Sequence, residues 1–156
     1  MRLDEHGLVR WGNRIGETVD TPVFLLLRGP LGAGKSVFAR AVGQGAGVRQ
    51  AMPSPSFNLF FRYPGRLGLD VVHMDLYRIE SPDELWELGW EELGADNEIV
   101  LVEWPENAQD LLPSDHWLIE LSTPTGKPLL RDVSVTRVGS PPELAAFPMS
   151  VSGPGR

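Results

Sequence analysis

The sequence predicts an α/β fold, in which a mostly parallel central sheet is flanked by helices within a single compact domain. Two apolar runs, at residues 23–27 and 99–102, have the continuous hydrophobicity of strands that are buried on both faces. A glycine-rich segment follows the first run, and apolar residues at helical spacing follow the glycines. This order of strand, loop and helix in a chain of 156 residues is typical of one α/β domain.

The glycine-rich segment matches the phosphate-loop pattern G-x-x-x-x-G-K-[ST] without a gap. Its glycines let backbone N–H groups approach an anion, and the helix that begins near Gly34 adds its positive dipole end. Lys35 supplies a mobile charge for the β- and γ-phosphates, and the Ser36 hydroxyl is a ligand for Mg²⁺. We therefore predict a P-loop NTPase-like fold. The predicted nucleotide-binding residues of the loop are Gly29, Pro30, Leu31, Gly32, Ala33, Gly34, Lys35 and Ser36.

The other elements follow from local patterns. Ser81, Pro82 and Glu84 form a capping box with proline at the first helical position, which predicts a helix to about Gly89. Alternating segments on either side of residues 123–128 predict a late hairpin. Helices are predicted over residues 3–16, 82–89 and 105–112, and strands over residues 48–52, 57–63, 68–75, 99–103, 117–121 and 131–137. We expect residues 1–138 to form the domain and residues 139–156 to be a disordered C-terminal tail.

Composition excludes several classes of protein. A formal net charge of −7 argues against a broad nucleic-acid-binding surface. The absence of cysteine excludes disulfides, a thiol nucleophile and cysteine-bound zinc. The N-terminus carries acidic residues where a signal peptide needs an apolar core, and no apolar run approaches the length of a membrane span. We expect a cytoplasmic protein without a membrane partner.

A phosphate loop needs an acidic residue at the end of a neighbouring buried strand to hold Mg²⁺ directly or through water. Glu103 follows four consecutive aliphatic residues, so it should emerge at the carboxyl edge of the sheet, where the loop also lies. Asp75 follows a less apolar run. We favour Glu103 as the metal ligand; Asp75 is either a second catalytic carboxylate or a residue that caps a turn or pairs with Arg78.

Three further residues have a structural and a functional interpretation. His73 lies in a strand-like run and is more typical of a packed core histidine than of a base. Trp104 either packs in the core or stacks against another ring. Ser56, within the Ser54-Pro55-Ser56 segment, belongs either to a simple turn or to a switch segment in which its hydroxyl reaches the γ-phosphate or the metal.

Five sequence blocks together resemble the TsaE (YjeE) family, the bacterial ATPase of tRNA threonylcarbamoyladenosine biosynthesis. The blocks occur in the family's order, and the resemblance covers about residues 3–137. They are GPLGAGKS at 29–36, SPSF at 54–57, HMDLYR at 73–78, ELWELG at 84–89 and VEWPE at 102–106. The last two distinguish the chain from generic phosphate-loop ATPases.

The resemblance implies roles for individual residues. Lys35 would bind phosphate, Ser36 and Glu103 would hold Mg²⁺, Asp75 would lie at the catalytic centre, and Trp104 would be the tryptophan beside the metal-binding acid. It further implies that the partners are TsaD- and TsaB-like proteins, and that tRNA is engaged only indirectly through them. The chain departs from the family at Pro30, where an acidic residue is usual, and carries Ser where the family has Thr at positions 36 and 56.

The resulting hypothesis is a Mg²⁺-dependent ATPase that supports tRNA modification and has weak activity alone. Lys35, Asp75 and Glu103 are its predicted catalytic residues. Two alternatives stay open at the level of the sequence: a non-hydrolysing nucleotide-dependent interaction module and a small-molecule kinase. A guanine-specific site of the [NT]-K-x-D type is excluded, because Lys35 and Lys127 both lie in the wrong context. The base-binding end is expected near Asp4 and Glu5 and the loop after Leu121.

Overall fold

Seven strands form one mixed sheet in the computed structural model, which describes residues 1–53 and 60–147. The strands are β1 (Arg2–Asp4), β2 (Val23–Arg28), β3 (Phe60–Pro64), β4 (Asp70–Asp75), β5 (Glu98–Glu103), β6 (His116–Ser122) and β7 (Leu130–Val138). The α-helices are α1 (Glu5–Thr18), α2 (Lys35–Gly45) and α3 (Glu84–Glu87), and short 3₁₀ helices span Arg66–Gly68, Trp90–Glu92 and Pro105–Leu111.

The strand order is β1-β7-β6-β2-β5-β4-β3. The four central strands, β6, β2, β5 and β4, are parallel, whereas β3, β7 and β1 join the two edges as antiparallel neighbours. A single compact α/β domain with a mostly parallel centre is therefore confirmed. The late hairpin is confirmed as well, because the whole of β6 pairs with residues 132–138 of β7 across the predicted turn.

The two faces of the sheet bury separate apolar clusters, which is why the central strands read as continuous hydrophobic runs. On one face, Leu25 and Leu101 pack with Trp11 of α1 and Phe38 of α2. On the other face, Leu26, Val100 and Val102 pack with α3 and the following 3₁₀ segments. Every residue of β5 is buried, including its two terminal glutamates.

Helices α1 and α2 pack closely because glycines lie at their contact. Asp4 caps α1 by accepting a hydrogen bond from the Gly7 N–H at 2.7 Å. Further along α1, a Cβ atom on Gly16 would overlap the carbonyl oxygen of Val42 and lie 2.7 Å from the backbone nitrogen of Ala46. The helix that carries the end of the phosphate loop is thus held against α1 at backbone contact distance.

Some local predictions differ from the structure. Residues 48–52, predicted as a strand, have no regular structure. Helix α3 is a single turn that ends before Gly89, whose φ of 78° turns the chain away. The predicted helix over residues 105–112 is 3₁₀ rather than α, with Gln109 at a non-helical φ of 51°. The predicted capping box does not form as a reciprocal pair. Ser81 Oγ accepts from the Asp83 N–H and the Glu84 carboxylate accepts from the Glu80 N–H, while Asp83 directly precedes the helix without a side-chain cap.

Residues 139–147 lie against the domain, although the sequence predicts a disordered tail from residue 139. The indole N–H of Trp11 donates to the carbonyl of Ala145 at 3.2 Å, and that of Trp117 donates to the carbonyl of Pro142 at 2.7 Å. The ring of Phe147 lies 4.9 Å from that of Trp11. The indole N–H groups of Trp11 on α1 and Trp117 on β6 thus hold this segment, a long-range effect that composition does not reveal. Within the described residues, no helix has the length and apolarity needed to cross a membrane.

Candidate phosphate-binding site

The phosphate loop joins the carboxyl end of β2 to the start of α2, as predicted. Gly34 adopts a φ of 104°, a left-handed conformation that favours glycine, and places the first turn of α2 towards the loop. Gly29 is confined too, because a Cβ there would overlap the carbonyl oxygen of Leu121 on β6. The N-terminus of α2 therefore lies at the carboxyl edge of the parallel strands, where α/β folds bind ligands.

Lys35 is folded back onto the loop. Its side chain is 5% exposed, and Nζ donates to the carbonyl oxygens of Gly29 and, at 3.1 Å, of Pro30. Nζ also lies 4.1 Å from the centre of the Trp104 ring, within cation–π range. Burial lowers the pKa of Lys35, and the nearby carboxylate of Glu103 opposes this effect. A phosphate in the loop would add a negative charge beside this buried ammonium.

Glu103 and Ser36 meet at the mouth of the loop. Glu103 ends β5, which pairs in parallel with β2 so that Glu103 lies opposite Leu27. The Ser36 hydroxyl on α2 lies 3.1 Å and 3.3 Å from the two carboxylate oxygens of Glu103, to which it donates. The Glu103 side chain is almost fully buried. The structure thus brings together the two residues that the sequence predicts as metal ligands.

Asp75 ends β4 directly beside Glu103, with which it pairs in register. Its Oδ1 accepts a hydrogen bond from the backbone N–H of Tyr77 at 2.9 Å, so the turn-capping interpretation is observed, and the carboxylate lines the same cavity. Burial raises the pKa of Asp75, and the charge of Glu103 adds to this rise. Two neighbouring carboxyl groups with different surroundings therefore face the loop.

Trp104 follows Glu103 with a left-handed backbone, at φ 58° and ψ 49°. This conformation is uncommon for a residue with a bulky side chain, and it turns the indole back over the loop. The ring contacts Lys35 on one side and lies 4.9 Å from the Tyr77 ring. Trp104 therefore lines the site and contacts another ring, and it also packs in part against the second apolar cluster, so both interpretations hold in part.

His73 lies beneath Glu103 and is fully buried. Its Nε2 is 2.6 Å from Glu103 Oε2. The prediction of a packed core histidine is correct for its burial, but sequence reasoning missed its contact with the site. That contact depends on the pairing of β4 with β5, which places His73 opposite Leu101, two residues before Glu103.

A cavity of about 320 Å³ joins these residues. Lys35, Ser36, Asp75, Glu103 and Trp104 line it, together with residues that the sequence reasoning largely missed. These are Glu5 and Leu8 of α1, Val37 of α2 and Arg131 of β7. Glu5 lies in the segment expected near the base, whereas Asp4 serves as the cap of α1. Ser56 and the rest of the SPSF block lie outside the described residues.

The sheet, the loop between β2 and α2 and the carboxylate on the adjacent strand define an α/β protein of the P-loop NTPase-like class. The family of the chain follows from comparison with known proteins. It belongs to the TsaE family, because the family model described as "Threonylcarbamoyl adenosine biosynthesis protein TsaE" matches residues 3–131. The family is involved in tRNA threonylcarbamoyladenosine biosynthesis.

Individual relatives agree with this assignment. The tRNA threonylcarbamoyladenosine biosynthesis protein TsaE of Treponema pallidum (strain Nichols) is 34% identical over 104 residues, which cover 67% of this chain and 76% of the relative. The protein of the same description from Haemophilus influenzae is 32% identical over 123 residues, covering 76% and 77%. Among solved structures, the crystal structure of Bacillus subtilis YdiB is similar with a TM-score of 0.69 and 25% identity, covering 89% of this chain and 84% of that one.

Proposed function

We propose that this chain binds ATP with Mg²⁺ and hydrolyses it in support of tRNA threonylcarbamoyladenosine modification, in a complex with TsaD- and TsaB-type proteins. The observation that carries the proposal is the contact of the Ser36 hydroxyl with the Glu103 carboxylate at 3.1 Å, beside the buried ammonium of Lys35. A hydroxyl, a carboxylate and a lysine at the end of a glycine loop are the groups that hold a metal–triphosphate complex.

The donor set fits Mg²⁺. This cation takes oxygen ligands, keeps several waters and is usually held by one or two protein groups together with substrate phosphates. Ser36 and Glu103 supply two such oxygen donors next to the expected phosphate position. Bound there, Mg²⁺ would supply positive charge to the phosphate oxygens.

The chain's own residues would act on the triphosphate in distinct ways. The backbone N–H groups of the loop and the N-terminus of α2 would bind phosphate oxygens, and Lys35 would turn from the carbonyls of Gly29 and Pro30 towards the γ-phosphate. Asp75, which lines the cavity beside Glu103 and whose pKa is raised by burial, would orient an attacking water. Glu103 would hold the metal together with Ser36.

Dependence on a partner is supported by the open rim of the site. Leu31, within the loop itself, is 71% exposed, and Tyr77 beside Trp104 is also largely exposed. A site with exposed apolar groups at its rim excludes water poorly until another protein covers it. We therefore expect slow hydrolysis by the isolated chain and faster hydrolysis when the TsaD- and TsaB-type proteins are present.

Single-turnover release of phosphate from ATP tests the proposal, measured with Mg²⁺ and with or without the two partners. Lys35→Ala and Glu103→Ala should each lower the rate by roughly 100-fold or more, the loss typical of removing one preorganised charge-stabilising group. Arg49→Ala is the control, because this exposed cation follows α2, does not line the cavity and should leave the rate unchanged.

The two alternative functions give different outcomes in the same assay. A non-hydrolysing interaction module would bind partners in an ATP-dependent manner without releasing phosphate. A small-molecule kinase would transfer labelled phosphate to a metabolite and not to water. Hydrolysis that is insensitive to both Lys35→Ala and Glu103→Ala would contradict the site assignment.

A further inference from the structure

We infer that His73 is a positioning residue that holds the Glu103 carboxylate in the orientation in which it binds the metal. The inference rests on the proposed Mg²⁺–nucleotide site and adds a residue to it. It is carried by the contact of His73 Nε2 with Glu103 Oε2 at 2.6 Å, with His73 fully buried.

The direction of this hydrogen bond follows from its chemistry. An ionised carboxylate can only accept hydrogen bonds, so Nε2 of His73 carries the hydrogen and donates it to Glu103. At 2.6 Å the contact is short, as expected for a hydrogen bond to a charged acceptor. Nδ1 of the same ring is buried and has no partner among residues 1–53 and 60–147. The histidine is therefore directed at Glu103 alone within the described part of the chain.

The surrounding strands leave the carboxylate few other positions. His73 and Glu103 lie on the face of the sheet that packs against α1 and α2, since both fall in the same strand alternation as the core residues Val71 and Leu101. Ser36 approaches Glu103 from α2, and His73 approaches it from β4. The carboxylate is thus held from below by His73, while its other side faces the loop.

Without His73, Glu103 would retain its position on β5 and lose its buried donor. A buried carboxylate that loses a hydrogen bond can rotate away from its position, and this change weakens its binding to a cation. Groups that hydrogen-bond a metal ligand typically contribute 10–100-fold in metal affinity. Among the described residues, the hydrogen bond of His73 goes to Glu103 and those of Lys35 go to Gly29 and Pro30, so binding of the metal-free nucleotide should be preserved.

Calorimetry with ADP tests this inference, first with EDTA and then with titrated Mg²⁺. His73→Leu should weaken Mg²⁺ binding in the ADP complex by about 10–100-fold while changing metal-free ADP affinity by less than about threefold. His73→Gln, whose amide N–H can still reach Glu103, should recover much of the lost affinity. His73→Asn is too short to reach and should resemble His73→Leu, and it replaces that variant if His73→Leu does not fold.

Met74→Leu is the matched control, because Met74 is equally buried on β4 but faces the opposite apolar cluster. It should leave both affinities unchanged. Two results would overturn the positioning role and leave the proposed function standing. One is a Mg²⁺ affinity of the His73 variants equal to that of the unmodified chain, and the other is an equal loss of metal-free ADP binding. Failure of the unmodified chain to bind ADP more tightly with Mg²⁺ would reject the metal site itself, and the role of His73 with it.

Discussion

Lys35 and Trp104 show how single residues prepare this site for an anion. Lys35 is buried against two neutral carbonyl oxygens and an aromatic ring, and none of these neutralises its charge. Trp104 reaches it only by adopting a left-handed backbone, which costs roughly 1–3 kcal/mol for a residue other than glycine. Backbone strain and a buried charge thus coincide at one place in the molecule.

We expect the Asp75 carboxylate to support ATP hydrolysis but to lower the free energy of unfolding at neutral pH. Because burial raises its pKa, the folded chain binds more protons than the unfolded chain between the ordinary aspartate pKa and the raised value. Stability from this group is therefore lost as the pH rises through that window. Asp75→Asn, which keeps an oxygen for the Tyr77 N–H, should remove the loss, raising the free energy of unfolding at neutral pH while lowering ATP hydrolysis by at least about tenfold.

Chemical denaturation of both forms at several pH values between about 4 and 8, without nucleotide or metal, measures this effect. The free energy of unfolding of Asp75→Asn should exceed that of the parent only slightly at acidic pH. The difference should grow with pH until Asp75 is fully ionised in the folded parent chain. A constant difference across this range would mean that the substitution acts through packing and not through the carboxyl group.

At the scale of elements, the packing of α2 against α1 fixes the position of the residues that end the phosphate loop. Both Lys35 and Ser36 lie in the first turn of α2, and α2 is fixed against α1 at the glycines near the C-terminal ends of the two helices. Gly45 of α2 shows the same constraint, since a Cβ there would overlap the carbonyl oxygen of Asn13. The spacing of these helices leaves no room for an added methyl group.

Gly16→Ala should therefore destabilise the protein by roughly 1–3 kcal/mol, the usual cost of overpacking. Alanine favours a helix over glycine by about 0.5–1 kcal/mol, but this gain is smaller than the cost of displacing the backbone of α2. Urea unfolding measures the change, with Glu17→Ala as the control because Glu17 is exposed at the next position of α1. We expect that control to lie within about 0.5 kcal/mol of the parent. An unchanged stability for Gly16→Ala would show that the two helices can separate at little cost.

At the scale of the whole molecule, contacts between residues far apart in sequence hold the N-terminal strand and residues 139–147 against the domain. β1 pairs with β7, and the N-terminal ammonium donates to the carbonyl of Val133 at 2.7 Å. Residues 139–147 then return to α1, where the carbonyl of Ala145 satisfies the indole of Trp11, which is 1% exposed. Both ends of the described chain therefore lie against the helix layer that supports the phosphate loop.

Removal of everything after Val138 should lower the free energy of unfolding by roughly 2–4 kcal/mol, because it exposes Trp11 and leaves its N–H without the Ala145 carbonyl. Truncation after Phe147 is the control, since it keeps every contact described for this segment. Thermal and urea unfolding of the two truncated chains would measure the difference. Equal stabilities would favour the original expectation that the domain ends at residue 138.

The site was predictable from the sequence wherever its geometry is local. The loop from Gly29 to Ser36 is one continuous pattern, and the four aliphatic residues before Glu103 mark the end of a buried strand. The contacts of His73 and Arg131 could not be found in this way. His73 reaches Glu103 only through the register of β4 with β5. Arg131 lines the cavity from β7, at the position where β7 pairs with Leu3 of β1.

The sequence by itself determined the class of fold, the phosphate loop and the identities of its lysine, hydroxyl and acidic partner, because hydrophobic periodicity and glycine spacing act over a few residues. Only the tertiary structure decided that Trp104 covers Lys35, that His73 supports Glu103 and that residues 139–147 pack on α1. These contacts join residues between 30 and 134 positions apart or depend on a left-handed turn. The physical reason is that strand register and helix packing place such side chains together, and neither is encoded in any short stretch of the chain.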